Sequence, residues 1–322
     1  MLQQAAAQLR DTQGRVARYL RVSLTDRCQL RCRYCMPADL AWMPNERLLS
    51  AAELSRLITI AVTRLGVRKV RFTGGEPLLR PDVASIIASV PPDAAVSLTT
   101  NGLELPKHLP GLVSAGLKSV NISIDALNRR TYAHITGRDR LADALAGLRQ
   151  ALEARLRVKV NTVILRGVNE GEILPLADFC LANGCELRFI EQMPLGPLAT
   201  DPVSAAEILT ALRARYELRP LPRTSAPTQL YDVGGGRIGV IATVSFPFCQ
   251  LCDRTRLTAD GHVRACLFDD TEHDLRTPLR AGASDEELAY LWLAAQRQKA
   301  PGHLIGQASF RKPVRTMSMI GG

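Results

Sequence analysis

Short segments in which polar and apolar residues alternate recur along the first two thirds of the chain. In the segment 120–125, valine and isoleucine occupy every second position, with asparagine, serine and aspartate between them. A period of two residues is typical of a β-strand, because successive side chains point to opposite faces. The pattern predicts strands over residues 20–25, 69–73, 96–100, 120–125, 158–163 and 187–191.

The segments between these strands are long enough for helices, and several carry helix-start signals. A serine followed three residues later by a glutamate forms a capping box, which satisfies free amides of the first turn. Such pairs predict helix starts at Ser50 with Glu53, Ser204 with Glu207, and Ser284 with Glu287. Strands that alternate with helices favour a parallel sheet, either doubly wound or built as a barrel of βα units.

The polar face of the strands bears on the choice of architecture. An antiparallel sheet with one solvated face would explain the alternation, but helical connectors disfavour it. In a βα barrel the apolar face packs against the outer helices, so the polar side chains would point into the lumen, among them Arg21, Arg71, Ser123 and Lys159. Buried cations need a polar, anionic occupant. We therefore expect an α/β fold, a partial, open TIM-type barrel of about six strands around a ligand.

The composition changes after Tyr231, where three glycines at residues 234–236 indicate a hinge or tight turn. A short strand over residues 238–244 and a second group of cysteines follow. We predict a barrel domain over residues 1–235 and a smaller C-terminal region over residues 236–322, which ends in a Gly-Gly tail.

Charge and composition narrow the class of protein. The 322 residues include 41 Lys and Arg against 31 Asp and Glu, and the formal charge of +10 favours an anionic partner. No stretch approaches the roughly 20 uncharged apolar residues that span a bilayer, and the N-terminus lacks the apolar core of a secretory signal. A cytoplasmic location with reduced thiols is expected, which makes the eight cysteines candidate ligands.

Cys28, Cys32 and Cys35 follow the first predicted strand with the spacing C-x3-C-x2-C. Three thiolates on one loop can hold three corners of a 4Fe-4S cluster and leave the fourth iron open to another ligand. A structural zinc site requires four ligands, and this loop contains no histidine or fourth cysteine. The iron-sulfur interpretation is therefore favoured here. Cys180 and Cys185, on or beside a predicted helix, are interpreted as buried or free thiols.

Cys249, Cys252 and Cys266 form a second triplet, for which two interpretations stay open. His262 would complete a Cys3His zinc site in a small ribbon, whereas a second three-cysteine cluster is the alternative. Between these cysteines lie two arginines that an extended segment would present on one side, as phosphate or carboxylate recognition uses: Arg254 and Arg256.

The first triplet is followed, after the next strand, by the sequence TGGEP at residues 73–77. The glycines would let the backbone approach a ligand and expose amide donors, and Glu76 would supply an acceptor. Together the two motifs resemble the radical S-adenosylmethionine superfamily. The resemblance narrows to its GTP 3′,8-cyclase family, of molybdenum cofactor biosynthesis, through RVSLTDRC at 21–28, TTNG at 99–102, SIDA at 123–126, RFIEQM at 188–193, RTR at 254–256 and MIGG at 319–322.

This resemblance implies two 4Fe-4S clusters, S-adenosyl-L-methionine as cofactor and GTP as substrate. One cluster would be bound by the first triplet and would chelate the cofactor, and the other would be bound by the second triplet and would face the guanine. The cofactor site would be lined by Tyr34, Gly75, Ser123 and Met193. GTP would be contacted by Arg21, Arg71, Thr99, Lys159, Arg254, Thr255 and Arg256. Catalytic roles would fall to Cys28, Cys32, Cys35, Arg254, Arg256 and the tail residues Gly321 and Gly322.

The implied reaction begins with reductive cleavage of S-adenosylmethionine to methionine and a 5′-deoxyadenosyl radical, which abstracts the C3′ hydrogen of GTP. Attack of the ribose radical on C8 of guanine, followed by reduction, would give (8S)-3′,8-cyclo-7,8-dihydroguanosine 5′-triphosphate, which feeds molybdopterin synthesis. An electron donor and the next enzyme of that pathway are implied partners, and a homodimer is compatible with the resemblance. Neither a membrane nor nucleic acid is expected as a partner.

Two other classes of protein compete with this interpretation. A radical peptide-maturing enzyme also combines a barrel with C-terminal clusters, but such proteins usually carry more auxiliary cysteines than the second triplet offers. A zinc-stabilised nucleic-acid-binding protein would fit the basic charge and the two cysteine groups. The zinc interpretation would not explain the charged lumen or the segment Gly74, Gly75 and Glu76.

Overall fold

The computed structural model describes residues 7–37, 39–198 and 201–321. Its strands are β1 (Tyr19–Ser23), β2 (Lys69–Thr73), β3 (Ala95–Thr100), β4 (Ser119–Ser123), β5 (Arg157–Ile164), β6 (Glu186–Glu191), β7 (Arg219–Pro220), β8 (Gln229–Asp232), β9 (Arg237–Ile241), β10 (Arg254–Leu257), β11 (His262–Arg264) and β12 (His273–Asp274). Its α-helices are α1 (Ala51–Thr63), α2 (Val83–Ala88), α3 (Leu105–Ser114), α4 (Arg129–Thr136), α5 (Leu141–Glu153), α6 (Ile173–Ala182), α7 (Ala205–Arg213), α8 (Arg276–Arg280), α9 (Asp285–Arg297) and α10 (Met317–Ile320).

The strands of these residues form one sheet in the order β12-β11-β10-β1-β2-β3-β4-β5-β6-β9-β8-β7. Strands β1 to β6 are parallel neighbours, and at least one helix crosses between each consecutive pair. The six predicted strands are therefore confirmed, and so is the partial, open barrel. Two more parallel strands extend it, because β10 pairs with β1 and β9 pairs with β6.

The predicted boundary at residue 235 falls inside this continuous sheet. Strand β8, before the boundary, pairs antiparallel with β9, which follows it. Strand β9 in turn lies parallel to β6 of the barrel. A division into residues 1–235 and 236–322 stays a prediction about how the chain is organised.

The apolar face of the strands packs under the helices, as the alternation predicts. Val70 and Phe72 of β2 are fully buried in the hydrophobic core, as are Val120 and Ile122 of β4. Burial of each such side chain stabilises the fold by about 1.5–3 kcal/mol. The thiols predicted to be buried or free, Cys180 and Cys185, are both buried and unpaired.

All three predicted capping boxes are present. Ser50, Ser204 and Ser284 accept a hydrogen bond from the amide of the glutamate three residues on, whose carboxylate accepts from the serine amide. Each cap stabilises its helix by about 1 kcal/mol. None of the helices in the described parts of the chain is long and apolar enough to cross a membrane.

Candidate active site

A cavity of about 580 Å³ lies inside the curve of the sheet. Side chains from β1 to β6 and from β10 line it, together with the loops that follow them. The structure brings both cysteine triplets to this one cavity, whose walls include Cys28, Cys32, Cys35, Cys249, Cys252 and Cys266. The polar lumen residues Arg21, Arg71, Ser123 and Lys159 also face it.

The loop of the first triplet is fastened to the end of α4. The amides of Arg31 and Arg33 donate to the carbonyls of Thr136 and Ile135 over 2.8 and 3.0 Å. These bonds, which alternate with the cysteines along the loop, set the loop on the cavity wall.

The thiols of the first triplet are costly to ionise without a cation beside them. Burial and the nearby Glu76 raise the pKa of Cys28 to about 11. Burial and the neighbouring Cys28 raise the pKa of Cys35 to about 12. A cationic centre reverses such shifts, because ligating thiols are deprotonated. Three half-buried cysteines without a fourth protein ligand on their loop therefore fit an iron-sulfur cluster.

The glycines of the TGGEP segment serve close packing of two loops. The amide of Gly75 donates to the Thr25 carbonyl, and that of Glu76 donates to the Arg27 carbonyl, both over 2.7 Å. A Cβ at Gly75 would lie only 2.3 Å from the Arg27 oxygen. The expectation that the glycines expose their amides to a ligand is therefore wrong for Gly75, because its amide is bonded to the segment that leads to Cys28.

Glu76 likewise forms hydrogen bonds within the protein. Its carboxylate accepts hydrogen bonds from the Thr100 hydroxyl and the Asn101 amide, each 2.7 Å long, and from the Leu78 amide at 3.0 Å. Burial outweighs these bonds and raises its pKa to about 7. The Asn101 side chain reaches to 3.8 Å from the sulfur of Cys28. Glu76 thus ties the loops after β2 and β3 behind the first triplet, and the predicted ligand acceptor is a structural one.

The residues predicted for the cofactor site line the same cavity as the first triplet. The cavity is lined by all four of them, Tyr34, Gly75, Ser123 and Met193. The Tyr34 hydroxyl donates to Asp125 over 2.9 Å, and the amide of Val163 donates to the same carboxylate over 2.8 Å. Burial raises the pKa of Asp125 to about 6. This bridge holds the cysteine loop against the ends of β4 and β5.

The strand register places three arginines side by side. Arg21 of β1 lies opposite Arg71 of β2 on one side and opposite Arg256 of β10 on the other. Burial, assisted by the neighbouring cations, lowers the pKa of all three and brings that of Arg71 to about 10. Such a row of like charges, with Arg256 buried and Arg21 and Arg71 half-buried, favours a polyanion as occupant.

Several polar atoms of the lumen lack a protein partner. Within the described residues, no hydrogen bond reaches the buried Nε of Arg21, Oγ1 of Thr99 or Oδ1 of Asn161. All three side chains line the cavity. Because buried polar groups are normally hydrogen-bonded, we expect a polar ligand to form hydrogen bonds with these atoms.

Arg188 also belongs to this site, although the sequence motifs assign it no role. Its Nε lies 2.6 Å from the Glu186 carboxylate, which also lies 3.6 Å from Nζ of Lys159. Burial and the charge of Arg188 lower the pKa of Lys159 to about 8. The signal was present in the sequence, because Arg188 alternates with Phe189 just as Arg71 alternates with Phe72.

The second triplet lies beside two cations. Nζ of Lys299 is 3.3 Å from the sulfur of Cys252, and Nη2 of Arg254 is 3.4 Å from it. Burial would raise the pKa of Cys252, but Arg254 and Lys299 outweigh burial and lower that pKa to about 6. Lys299 also donates to the carbonyl of Arg254 over 2.7 Å. Its role was not visible in the sequence, since 33 residues separate it from Cys266.

His262 does not act with the second triplet. Its Nδ1 lies 3.3 Å from the buried carboxylate of Asp260, and its side chain is not part of the cavity wall. The Cys3His zinc interpretation is therefore wrong. In the described ranges no three Cys, His, Asp or Glu side chains converge as a single ion requires. A cubane places each thiolate on a different iron and needs a wider spacing.

Thr255 is the one predicted substrate residue that the structure turns away from the cavity. Arg254 and Arg256 point into it, so strand alternation sends Thr255 to the opposite face. There its fully buried hydroxyl accepts a hydrogen bond from Nε1 of Trp292 on α9, 3.1 Å away. Its hydroxyl therefore has a packing role, and a contact of Thr255 with GTP stays a prediction.

The C-terminal tail returns to the barrel. The carbonyl of Gly321 accepts a hydrogen bond of 2.6 Å from Nη1 of Arg256. A Cβ at Gly321 would lie 2.8 Å from Cγ2 of Thr73 and 3.1 Å from Cβ of Ser23, and its φ of +84° favours glycine. Gly322 lies outside the described residues.

This partial barrel, with a C-x3-C-x2-C loop after its first strand, defines a radical S-adenosylmethionine enzyme. Residues 22–180 match the model of the Radical SAM superfamily. Residues 185–305 match the model named Molybdenum Cofactor Synthesis C.

Curated relatives show which family of this superfamily the chain resembles. A GTP 3′,8-cyclase of Corynebacterium glutamicum is 51% identical over 97% of this chain and 89% of its own length. GTP 3′,8-cyclase 2 of Mycobacterium tuberculosis is 50% identical over 97% of this chain and 91% of its own. The chain belongs to the GTP 3′,8-cyclase family.

Among solved structures, SuiB of Streptococcus suis bound to S-adenosylmethionine is similar with a TM-score of 0.64. The two share 14% identity, and the match covers 86% of this chain and 68% of SuiB. At that identity the likeness shows a common fold.

Proposed function

We propose that this chain is a GTP 3′,8-cyclase, which converts GTP to (8S)-3′,8-cyclo-7,8-dihydroguanosine 5′-triphosphate, the first step of molybdenum cofactor biosynthesis. Relatives about 50% identical over nearly the whole chain carry that name. The observation on which the proposal depends is one cavity lined by both cysteine triplets and by the row of arginines on β10, β1 and β2.

The enzyme uses S-adenosylmethionine and a 4Fe-4S cluster, which we assign to Cys28, Cys32 and Cys35. When bound, this pair supplies the 5′-deoxyadenosyl radical that removes the C3′ hydrogen of GTP. Tyr34, held by Asp125, is assigned to the cofactor side of the cavity together with Gly75, Ser123 and Met193.

A second 4Fe-4S cluster is assigned to Cys249, Cys252 and Cys266, with the guanine beside it. Lys299 and Arg254 supply positive charge next to Cys252, which suits a thiolate ligand. The purine end of the substrate then lies near these cysteines and C3′ lies toward the first triplet.

The triphosphate is assigned to the cation row. Within that row, Arg21 and Arg71 on adjacent strands are the fork-shaped donors assigned to the phosphates, and Lys159 and Arg188 face the same cavity. A polyanion relieves the mutual repulsion of these cations, and bidentate arginine contacts fix its orientation. Thr99 and Asn161 offer polar atoms without a described partner to the same ligand.

Arg256 and the tail are assigned to the reacting end of the site. Arg256 holds the Gly321 carbonyl, and the glycine fits where any side chain would strike Thr73. The tail thereby fills space beside the substrate and helps to exclude water from the radical chemistry.

Further partners follow from the reaction. An electron donor must reduce the first cluster, and a following enzyme must convert the cyclic nucleotide into a pterin. A homodimer and a cytoplasmic location complete the proposal.

Anaerobic turnover of the reconstituted protein with GTP, S-adenosylmethionine and dithionite tests the function. We expect the cyclic nucleotide together with methionine and 5′-deoxyadenosine. Methionine released without a cyclised nucleotide would favour the peptide-maturing class, and zinc without labile sulfide would exclude both enzyme classes.

A further inference from the structure

One hairpin holds the C-terminal segment at two points. Arg256, on β10, binds the carbonyl of Gly321. Asp260, in the turn between β10 and β11, accepts hydrogen bonds from both Nη atoms of Arg315, at 2.9 and 3.0 Å. Residues 316–321 therefore run between two anchors on the same element.

The outer anchor is built as a buried network. The side chain of Asp260 is fully buried and accepts from the Thr258 hydroxyl at 2.7 Å. Arg315 also lies 2.7 Å from Glu272, whose carboxylate is held by the buried Arg264. A bidentate arginine with two acidic partners fixes a chain direction, which one exposed ion pair does not do.

The inner part of the segment lies at the cavity that both triplets line. Ser318 and Ile320 are buried, and Met317 lines the cavity. The Gly321 carbonyl is bonded to Arg256, which lines the same cavity. The position of this short segment therefore affects the space beside Arg256.

We propose that Arg315 is a positioning residue for the cyclisation, which acts through Asp260 to hold residues 316–321 in the cavity. The inference rests on the proposed function, because it requires Gly321 to lie beside GTP. Chain ends fray unless they are tied down. The segment 316–321 contains the four-residue helix α10, which is too short to be stable alone. The anchor at Arg315 therefore holds the segment in place.

Hydrogen exchange of the holoprotein, read by mass spectrometry over residues 316–321, tests the anchor without turnover. We expect Arg315→Ala to accelerate exchange there by at least about tenfold, with exchange in β1 to β6 unchanged. Asp260→Asn is expected to give the same local change. Arg311→Ala is the matched control, because Arg311 is exposed and, among the described residues, bonds only to the carbonyls of Ala308 and Phe310. Wild-type exchange at residues 316–321 in Arg315→Ala would overturn the proposal.

Coupling of the reaction is the second readout. In Arg315→Ala we expect the yield of cyclic nucleotide per 5′-deoxyadenosine to fall about tenfold while cofactor cleavage stays within about threefold. Arg315→Lys, which keeps the charge and loses the fork, should recover part of that yield. An unchanged yield would overturn the positioning role. A wild-type protein that forms no cyclic nucleotide would instead refute the proposed function. The hydrogen-exchange measurement would still test the anchor, because it does not depend on turnover.

Discussion

Lys299 donates a hydrogen bond to the sulfur of Cys252 over 3.3 Å. The lysine follows α9 and its side chain is buried, so the contact brings a positive charge from the outer layer to the second triplet. Hydrogen bonds and charge at cluster sulfurs raise the reduction potential of iron-sulfur centres.

Lys299→Met is expected to lower the reduction potential of the cluster at the second triplet, because the sulfur loses both a donor and a cation. Redox titration followed by electron paramagnetic resonance measures this potential. The exposed Arg297, two residues earlier, provides the control variant Arg297→Ala. Equal potentials in Lys299→Met and wild type, with equal iron content, would contradict the assigned contact.

The apparent affinity for GTP is expected to depend on Lys159. Burial and Arg188 lower the pKa of Lys159 to about 8 in the free enzyme. The lysine is therefore charged below that pH and neutral above it, so KM for GTP should rise as pH increases through about 8. Lys159→Arg should hold KM flat over the same range, since arginine stays protonated. The same upward break in both proteins would assign the titration to another group.

Gly75→Ala is expected to dislodge the loop of the first triplet. The added Cβ would lie 2.3 Å from the Arg27 carbonyl, which backbone cannot accommodate without moving. Iron analysis should show about half of the wild-type iron, because one of two clusters is lost. Gly171→Ala is the control, since a Cβ there meets no atom of the described residues within 4 Å. Full iron content and normal cofactor cleavage in Gly75→Ala would refute this packing role.

Thr255→Val is expected to separate stability from substrate binding. The substitution keeps the volume and removes the acceptor of the buried Trp292 indole, at a cost of about 1–3 kcal/mol in the free energy of unfolding. KM for GTP and kcat should stay at the wild-type values. A raised KM with unchanged stability would place Thr255 at the substrate after all.

Cys249→Ser is expected to impair cyclisation more than cofactor cleavage, because the second triplet is assigned to the substrate. The cyclic product should fall at least about tenfold, with cofactor cleavage within about threefold of wild type. Cys32→Ser should abolish both. Equal loss of cofactor cleavage and cyclisation in Cys249→Ser would show that the second triplet does not serve the substrate alone.

Local patterns predict the elements of this protein well, because each is decided by neighbouring residues. The alternation in Lys69–Thr73 gives β2 with its observed bounds. The capping serine at residue 50 gives the start of α1. The alternation of polar and apolar positions also predicts that Arg21 and Lys159 face the lumen, and both line the cavity.

Contacts between distant segments were not predictable in the same way. The motif RTR groups Thr255 with two arginines, although strand alternation places Thr255 on the opposite face. Lys299 and Arg315 act through partners 47 and 55 residues away along the chain, and nothing local marks them. Local patterns do not predict that β9 and β10 extend the barrel, since their pairing with β6 and β1 is set by tertiary packing.

If one cavity brings C3′ of GTP to the cofactor radical generated at the first triplet, the C3′ hydrogen must pass to 5′-deoxyadenosine. Anaerobic turnover with GTP deuterated at C3′, followed by mass spectrometry of the 5′-deoxyadenosine, measures this transfer. We expect one deuterium in 5′-deoxyadenosine for each cyclic nucleotide formed. Unlabelled 5′-deoxyadenosine beside unreacted GTP would show that the radical does not reach C3′.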